Sequence, residues 1–301
     1  MKAVILTEYG GVEKLVVEDV PEPQPGPHEV KVRVEAAGIN PIDYKLRRGD
    51  LRTIMPIELP TIPGRDVAGS VVAIGSSVAD LKVGDRVMGL VEHGYAEMVV
   101  APATAFAIVP EPVNAVQAAA LPLAGLTGVQ LVENTVEPKR GDLVLVTGAV
   151  GSVGRVAVFT AKQHGARVIA GVRGRQRLEA ESLGADEIVA LDDPKALDKL
   201  PLLDAIADTV DGDVVESLLP KLKRGGVLGT VLSEPAGAEQ RDISVRTMLV
   251  HPDAERLREL GESVANGELT LPVERRYALS DVRMAQRVAE RHGVGKIILV
   301  T

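Results

Sequence analysis

Residues 143–157 read LVLVTGAVGSVGRVA, an apolar strand that runs directly into a glycine-rich turn and then into a helix. The spacing Gly148-x-x-Gly151-x-x-Gly154 is typical of a turn that binds a dinucleotide. A side chain there would block the tight turn, hold the backbone away from the pyrophosphate or push the helix from the sheet. The phosphates would then meet unpaired N–H groups at the positive end of the helix. Because Ala149 departs from the common G-x-G-x-x-G pattern, a turn that merely packs is the alternative interpretation.

The strand after this turn carries a second signal at its end. Residues 168–177 read VIAGVRGRQR. An NAD-binding protein usually has Asp or Glu about 20 residues beyond the turn, where it binds the ribose 2′-hydroxyl. This chain has Arg173, Arg175 and Arg177 instead, and guanidinium groups match the oxygens of a phosphate. The segment therefore predicts NADP(H), whose 2′-phosphate the arginines would bind. The alternative is an exposed basic start of a helix, although cations are disfavoured at that end.

The pattern of the chain changes near residue 115. Up to that point, short strand-like runs alternate with turns rich in proline and glycine, which indicates a β-rich, barrel-like domain over residues 1–115. Over residues 116–245, helical runs alternate with short apolar strands, which predicts a doubly wound parallel sheet. We expect the tail, residues 246–301, to return to the first domain, and a crevice between the two domains to hold cofactor and substrate. The elements predicted after residue 242 are a strand at 243–250, helices at 253–266 and 280–290, and a strand at 296–300.

Composition excludes several classes of protein. A chain of 301 residues, 46% of them apolar, is long enough for two cores. A formal charge of −8 argues against a nucleic-acid partner. No apolar run approaches the roughly 18 residues that span a membrane, and the start, MKAV, resembles a strand more than a signal peptide, so we expect a cytoplasmic protein. The absence of cysteine removes disulfides, thiolate nucleophiles and thiolate-bound zinc.

Five ordered segments carry a family resemblance. They are AAGINPIDYKLRRG at 36–49, PGRDVAG at 63–69, VGDRV at 83–87, AALPLAGLT at 119–127 and GKIILV at 295–300. Together they resemble the zinc-free quinone oxidoreductases, the relatives of zeta-crystallin in the medium-chain dehydrogenase/reductase family. The resemblance covers nearly the whole chain and is far more specific than the glycine-rich turn alone.

The resemblance implies a GroES-like catalytic domain, a Rossmann domain and a C-terminal segment that rejoins the first domain. Zinc-binding members carry cysteine near position 40 and Gly-His-Glu where this chain reads Gly64-Arg65-Asp66. Neither ligand is present, so we expect no zinc. The resemblance also implies a homodimer.

The resemblance further implies roles for single residues. In the second domain it places Gly151, Ser152 and Val153 over the pyrophosphate, and Arg173 and Arg177 near the 2′-phosphate. Ser152 departs from the glycine that is common at that site.

Three further residues are similar to those near the reacting atoms. Thr127 resembles a residue that approaches the nicotinamide, and Asn40 and Tyr44 resemble first-domain residues that face nicotinamide and substrate. The residues themselves leave alternatives open. Asn40 would shape a turn before proline, Asp43 would cap the short helix that follows, and Tyr44 would be a wedge between domains.

These expectations predict a reaction. Without a metal to polarise a carbonyl, hydride transfer from NADPH is easiest to an acceptor that is already electron-poor, such as a quinone or an activated enone. The protein would align the reactants and donate a hydrogen bond to the oxygen that gains charge, and water would supply the proton. Two alternatives stay open: an enoyl or 2-alkenal reductase with the same cofactor, and a non-enzymatic NADPH-binding protein.

Overall fold

The computed structural model describes residues 1–210, 212–231, 233–291 and 295–301. The chain separates into two compact units: unit 1 comprises Met1–Leu126 with His251–Thr301, and unit 2 comprises Thr127–Val250. The residues after 250 thus belong to the same unit as the first part of the chain. The sequence-based division ends the first domain at residue 115 and the second at residue 245, whereas the two units of the structure change at residues 126 and 250.

In chain order the strands are β1 Lys2–Leu6, β2 Leu15–Asp19, β3 Glu29–Ile39, β4 Asp66–Ile74, β5 Arg86–Leu90, β6 Met98–Pro102, β7 Phe106–Ile108, β8 Leu143–Thr147, β9 Arg167–Val172, β10 Glu187–Ala190, β11 Leu203–Asp208, β12 Leu222–Thr230, β13 Ile243–Thr247, β14 Val273–Ala278 and β15 Lys296–Val300. The α-helices are α1 Pro41–Arg48, α2 Ala115–Ala118, α3 Pro122–Leu131, α4 Ser152–Gln163, α5 Arg177–Ala180, α6 Pro194–Asp198, α7 Asp213–Leu218, α8 Ala254–Ala265 and α9 Val282–Ala289.

Unit 1 is β-rich, which confirms the prediction for the first domain. Its main sheet follows the order β14-β15-β3-β4-β5-β7, with β6 also paired to β3, while β1 and β2 form a separate antiparallel pair. Strand β3 shows why this sequence forms a sheet: Val30, Val32 and Val34 are buried, whereas the alternate Arg33 and Glu35 are exposed. The tail joins this sheet because β15 pairs antiparallel with β3.

Unit 2 is built on a parallel sheet in the order β10-β9-β8-β11-β12-β13. The chain starts in the middle at β8, builds outward to β10, and then crosses to β11, which is the strand order of a doubly wound Rossmann sheet. Both faces are covered: Val144 and Val146 of β8 join one apolar cluster, and Leu145 joins the other. Strands buried on both faces read as continuous apolar runs. The predicted doubly wound parallel sheet is confirmed.

In such sheets, ligands bind outside the carboxyl ends of the strands where the order reverses, and here that point lies between β8 and β11. The glycine-rich turn follows β8 directly and therefore lies at this position of unit 2.

Candidate active site

The glycine-rich turn connects β8 to α4, and each of its glycines has a different environment. Gly148 has a φ of 61°, in the left-handed region that glycine tolerates best. A Cβ on Gly154 would lie 2.2 Å from the carbonyl oxygen of Gly148, so no side chain fits there without a backbone shift. Gly151 is exposed and is the N-cap of α4, which begins at Ser152. The N–H groups of Ser152, Val153 and Gly154 thus lie in the first turn, where a helix leaves its donors unpaired.

A buried polar network lies next to this turn, at the carboxyl ends of the neighbouring strands. The Asp208 carboxylate, at the end of β11, accepts hydrogen bonds from the hydroxyls of Thr147 (2.7 Å) and Thr230 (3.1 Å). Thr209 donates its N–H to the Thr147 hydroxyl and its own hydroxyl to the Thr147 carbonyl, at 2.9 Å and 2.8 Å. The carboxyl ends of β8, β11 and β12 are thereby joined beside Gly148. Sequence reasoning missed this network, although each of these apolar strands ends in threonine or aspartate.

Arg155 is a second residue that sequence reasoning missed. It lies in the first half of α4, and its side chain is buried. Its Nε donates to the carbonyl of Val150 at 2.9 Å, and its Nη2 is 2.5 Å from a carboxylate oxygen of Glu179. The guanidinium therefore ties the turn to α5. An arginine on the face of a helix that packs on a sheet was the available signal.

The three predicted phosphate-binding arginines lie together after β9, the strand next to β8. Arg173 follows the last residue of that strand, and Arg173, Arg175 and Arg177 are all exposed. Arg177 donates to the carbonyl of Ile188 at 3.2 Å. Within the described part of the chain, Arg173 and Arg175 form no ion pair. One carboxylate is close, since Asp192 accepts the N–H of Gly174 at 2.7 Å.

Thr127 lies on α3 at the start of unit 2. Its side chain is buried, and its hydroxyl has no hydrogen-bond partner among the described residues. A buried hydroxyl without a partner costs free energy, so an unpaired one points to a ligand or an ordered water. This is the kind of group that a bound cofactor would satisfy.

Asn40 lies in unit 1, between β3 and α1, and is buried. Its side-chain amide donates to Oδ2 of Asp66 at 2.7 Å, and its side-chain oxygen accepts from Nζ of Lys296 at 2.7 Å. Its backbone N–H donates to Oδ2 of Asp43 at 2.8 Å. Asn40 is the N-cap residue of α1, although its side chain does not cap the helix.

Asp43 accepts hydrogen bonds from the start of α1 and from a tyrosine of the buried core. Its carboxylate accepts the hydroxyl of Tyr95 at 2.7 Å, in addition to the N–H of Asn40. Burial raises the pKa of Asp43 to about 6, against the opposing effect of these two hydrogen bonds. Burial, together with the neighbouring Asp43 carboxylate, likewise raises the pKa of Tyr95.

Tyr44, the next residue of α1, is half-buried. The guanidinium carbon of Arg48 lies 5.4 Å from the centre of its ring, within the range of a cation–π interaction. Burial raises the pKa of its hydroxyl, and Arg48 opposes the shift. Unit 1 thus brings Asn40 and Tyr44 to one end of one helix, while the glycines, arginines and Thr127 belong to unit 2.

The position of the zinc ligand in zinc-binding relatives is taken by an ion pair. Arg65 lies 2.7 Å from a carboxylate oxygen of Glu92. Among the residues that the structure describes, no group of three or more His, Cys, Asp and Glu side chains could hold a metal ion. In the same residues, no helix has the length and apolar character needed to cross a membrane.

Comparison with known proteins agrees with this geometry. Residues 26–111 match the family described as Alcohol dehydrogenase GroES-like domain, and residues 183–299 match the family described as Zinc-binding dehydrogenase. A chloroplast envelope quinone oxidoreductase homolog of Arabidopsis thaliana is 33% identical over 322 residues, covering 99% of this chain and 98% of that protein. A chloroplastic NADPH-dependent alkenal/one oxidoreductase of the same plant is 35% identical over 242 residues, 75% of this chain and 61% of that protein. The solved structure of the quinone oxidoreductase from Coxiella burnetii is 31% identical and has a TM-score of 0.89, over 100% of this chain and 99% of that chain.

A GroES-like domain followed by a Rossmann sheet with a glycine-rich turn defines a dehydrogenase or reductase of the two-domain class. At this identity over nearly its whole length, the chain belongs to the quinone oxidoreductase branch of the medium-chain dehydrogenase/reductase family and is an oxidoreductase. The resemblance seen in the sequence is thereby confirmed. Both plant relatives are chloroplast proteins by name, so the cytoplasmic location stays a prediction.

Proposed function

We propose that this oxidoreductase uses NADPH to reduce a quinone or an activated enone, without zinc. The observation that carries the choice of cofactor is the group of arginines at the end of β9. Arg173, Arg175 and Arg177 are exposed beside the strand that leads into the glycine-rich turn. Guanidinium groups at that place favour a 2′-phosphate, whereas a carboxylate would favour a free ribose hydroxyl.

The glycine-rich turn fits the pyrophosphate of such a cofactor. Gly154 leaves no space for a Cβ, so α4 lies close to the turn, and the first N–H groups of α4 would receive the phosphates. Thr127 offers a buried hydroxyl, unpaired among the described residues, for the nicotinamide end. When bound, NADPH supplies the hydride. The chain holds the cofactor, orients the acceptor and stabilises the oxygen that gains charge.

Asn40 is the proposed donor to that oxygen. An amide NH2 carries two hydrogens, and Asp66 accepts one of them, which leaves one N–H to donate. We assign Tyr44 to packing against the acceptor, with a smaller effect on turnover, because water can provide the proton to a quinol oxyanion or an enolate.

Zinc independence rests on the residues that replace the ligands. The second matched family is described as zinc-binding, but this chain has no cysteine near position 40 and has Arg65 where zinc-binding members carry histidine. Cysteine is absent from the whole chain. An acceptor that needs no polarising metal follows from this replacement.

The choice of cofactor is tested by substitution. Arg173→Ala/Arg177→Ala should weaken NADPH binding about tenfold or more, because a hydrogen bond to a charged group is worth roughly 1.5–3 kcal/mol. NADH binding should change little. The matched control is Arg167→Ala, an exposed arginine at the other end of β9 that lies 3.5 Å from Glu187. Equal losses for both cofactors, or a wild type that prefers NADH, would refute the assignment.

The acceptor is tested by the loss of absorbance at 340 nm with a naphthoquinone, a benzoquinone, an alkenone and a saturated ketone in parallel. Turnover with quinones or the alkenone is expected. A preference for alkenals over all quinones would favour the second candidate, an alkenal reductase, which the similarity to the plant alkenal/one oxidoreductase supports. Turnover of the saturated ketone alone would contradict the proposal, and turnover of none would favour a cofactor-binding protein.

A further inference from the structure

A buried ion pair holds the Asn40 side chain in unit 1. Nζ of Lys296 lies 2.7 Å from Oδ2 of Asp66, and both side chains are almost completely buried. Asp66 has a second partner on its other oxygen, since Oδ1 accepts the N–H of Leu123 at 2.7 Å. Charges as deeply buried as these are stable only with good geometry and further hydrogen bonds.

The two charges also determine which way the Asn40 amide points. A carboxylate can only accept a hydrogen bond and an ammonium can only donate one. The Asn40 NH2 must therefore face Asp66, and the Asn40 oxygen must face Lys296, as the 2.7 Å contacts show. A flipped amide would place oxygen against carboxylate and NH2 against ammonium, which is doubly unfavourable.

The backbone positions the same three residues independently of the side chains. Asn40 follows the last residue of β3, Asp66 is the first residue of β4, and Lys296 is the first residue of β15. In the sheet, Ile39 pairs with Ile297, and Gly38 pairs with Asp66. Three strand ends therefore meet at Asn40, and the side chain of each has its neighbours set by strand register.

We propose that Lys296 and Asp66 are positioning residues that lock the Asn40 amide with one N–H directed to the acceptor oxygen. This rests on the proposed function, in which Asn40 donates to that oxygen. Neither Lys296 nor Asp66 is required to touch substrate or cofactor. Their effect is to hold the Asn40 amide in one orientation, so that this side chain does not have to reorient during the reaction.

The first test is a double-mutant cycle on turnover. Asn40→Ala should lower kcat by between about tenfold and about 100-fold, the latter being a typical cost of removing a stabilising donor. Lys296→Met should lower kcat to a similar extent with little change in NADPH affinity, and Lys296→Arg should restore most of it. In the Asn40→Ala background, Lys296→Met should then cost less than about threefold, because the two act as one unit. Losses that multiply in the double variant would overturn the proposal.

Control variants separate positioning from folding. Lys2→Met removes an exposed lysine of unit 1 that lies 3.4 Å from Asp19, and its kcat should stay at the wild-type value. If Lys296→Met leaves Asp66 uncompensated and does not fold, the double variant Asp66→Asn/Lys296→Met removes both charges. Its kcat should fall to about that of Asn40→Ala, and wild-type turnover in this folded variant would also overturn the proposal.

A second measurement does not depend on turnover. In a 15N NMR spectrum, the side-chain amide signal of Asn40 is assigned by its loss in Asn40→Ala. Its hydrogens should exchange with water slowly in the wild type and in Lys296→Arg, and about tenfold faster or more in Lys296→Met. Unchanged exchange in Lys296→Met would refute the positioning role even if the enzyme reduces quinones. A wild type without turnover but with the expected exchange would refute the proposed function alone.

Discussion

The buried carboxyl group of Asp43 makes the stability of unit 1 depend on pH. Its pKa is raised from 3.8 to about 6 because burial disfavours the carboxylate more than the bonds from Tyr95 and Asn40 favour it. Between these two values the folded protein keeps a proton that the unfolded chain has lost. The folded state then binds more protons, so its stability falls as pH rises from about 4 to about 6 and stays lowered above that range.

The substitution that tests this is Asp43→Asn. The amide oxygen of asparagine can still accept the Asn40 N–H and the Tyr95 hydroxyl, but the side chain does not ionise. A shift of about two pKa units corresponds to about 3 kcal/mol. The free energy of unfolding of Asp43→Asn should therefore gain about 3 kcal/mol on the wild type between pH 3 and pH 7. The difference at pH 3 serves as the reference, because the carboxyl is then mostly protonated in both the folded and the unfolded wild type, and the difference reports chiefly the change in hydrogen bonding.

Tyrosine fluorescence during urea unfolding isolates the unit concerned. The chain has no tryptophan, and its four tyrosines, Tyr9, Tyr44, Tyr95 and Tyr277, all belong to unit 1. Asp19→Asn is the matched control, because Asp19 is exposed, and it should change stability by less than about 0.5 kcal/mol at any pH. Parallel stability curves for wild type and Asp43→Asn, or a variant that loses relative stability as pH rises, would show that Asp43 is not held at a raised pKa.

Three further predictions concern unit 2 and the metal. Gly154→Ala places a Cβ 2.2 Å from the Gly148 carbonyl oxygen, so the turn must move, and isothermal titration should show NADPH affinity falling about tenfold or more. Unchanged affinity would mean that the turn does not bind the phosphates. Arg155→Met keeps the apolar stem of the side chain but removes the donor to Glu179 and to the Val150 carbonyl. The free energy of unfolding of unit 2, measured by hydrogen exchange of its backbone amides, should therefore fall by about 1–3 kcal/mol. A variant as stable as the wild type would contradict this. Activity should survive dialysis against a strong chelator, and bound zinc in a 1:1 ratio that activity requires would overturn zinc independence.

Local pattern was sufficient for much of the architecture. Strands Leu143–Thr147 and Lys296–Val300 have the predicted bounds, since apolar runs between turn residues are a short-range signal. The strand predicted at 243–250 ends at Thr247, and the helix predicted from residue 280 begins at Val282. Ends are less predictable because the last hydrogen bonds of an element depend on its neighbours.

The parallel sheet of unit 2, the turn after β8 and the arginines after β9 could be predicted from the sequence, because strand periodicity, the steric needs of glycine and the charge of neighbouring residues are all local properties. The partners of the buried polar groups could not be predicted, because they come from segments that are distant in the chain. Lys296 and Asp66 are 230 positions apart, and Asp43 and Tyr95 are 52 apart. A sequence shows that a charged residue begins an apolar strand, but which opposite charge it meets depends on which strands are neighbours. In unit 1 that depends on β15 pairing with β3, and this pairing is formed by segments from opposite ends of the chain.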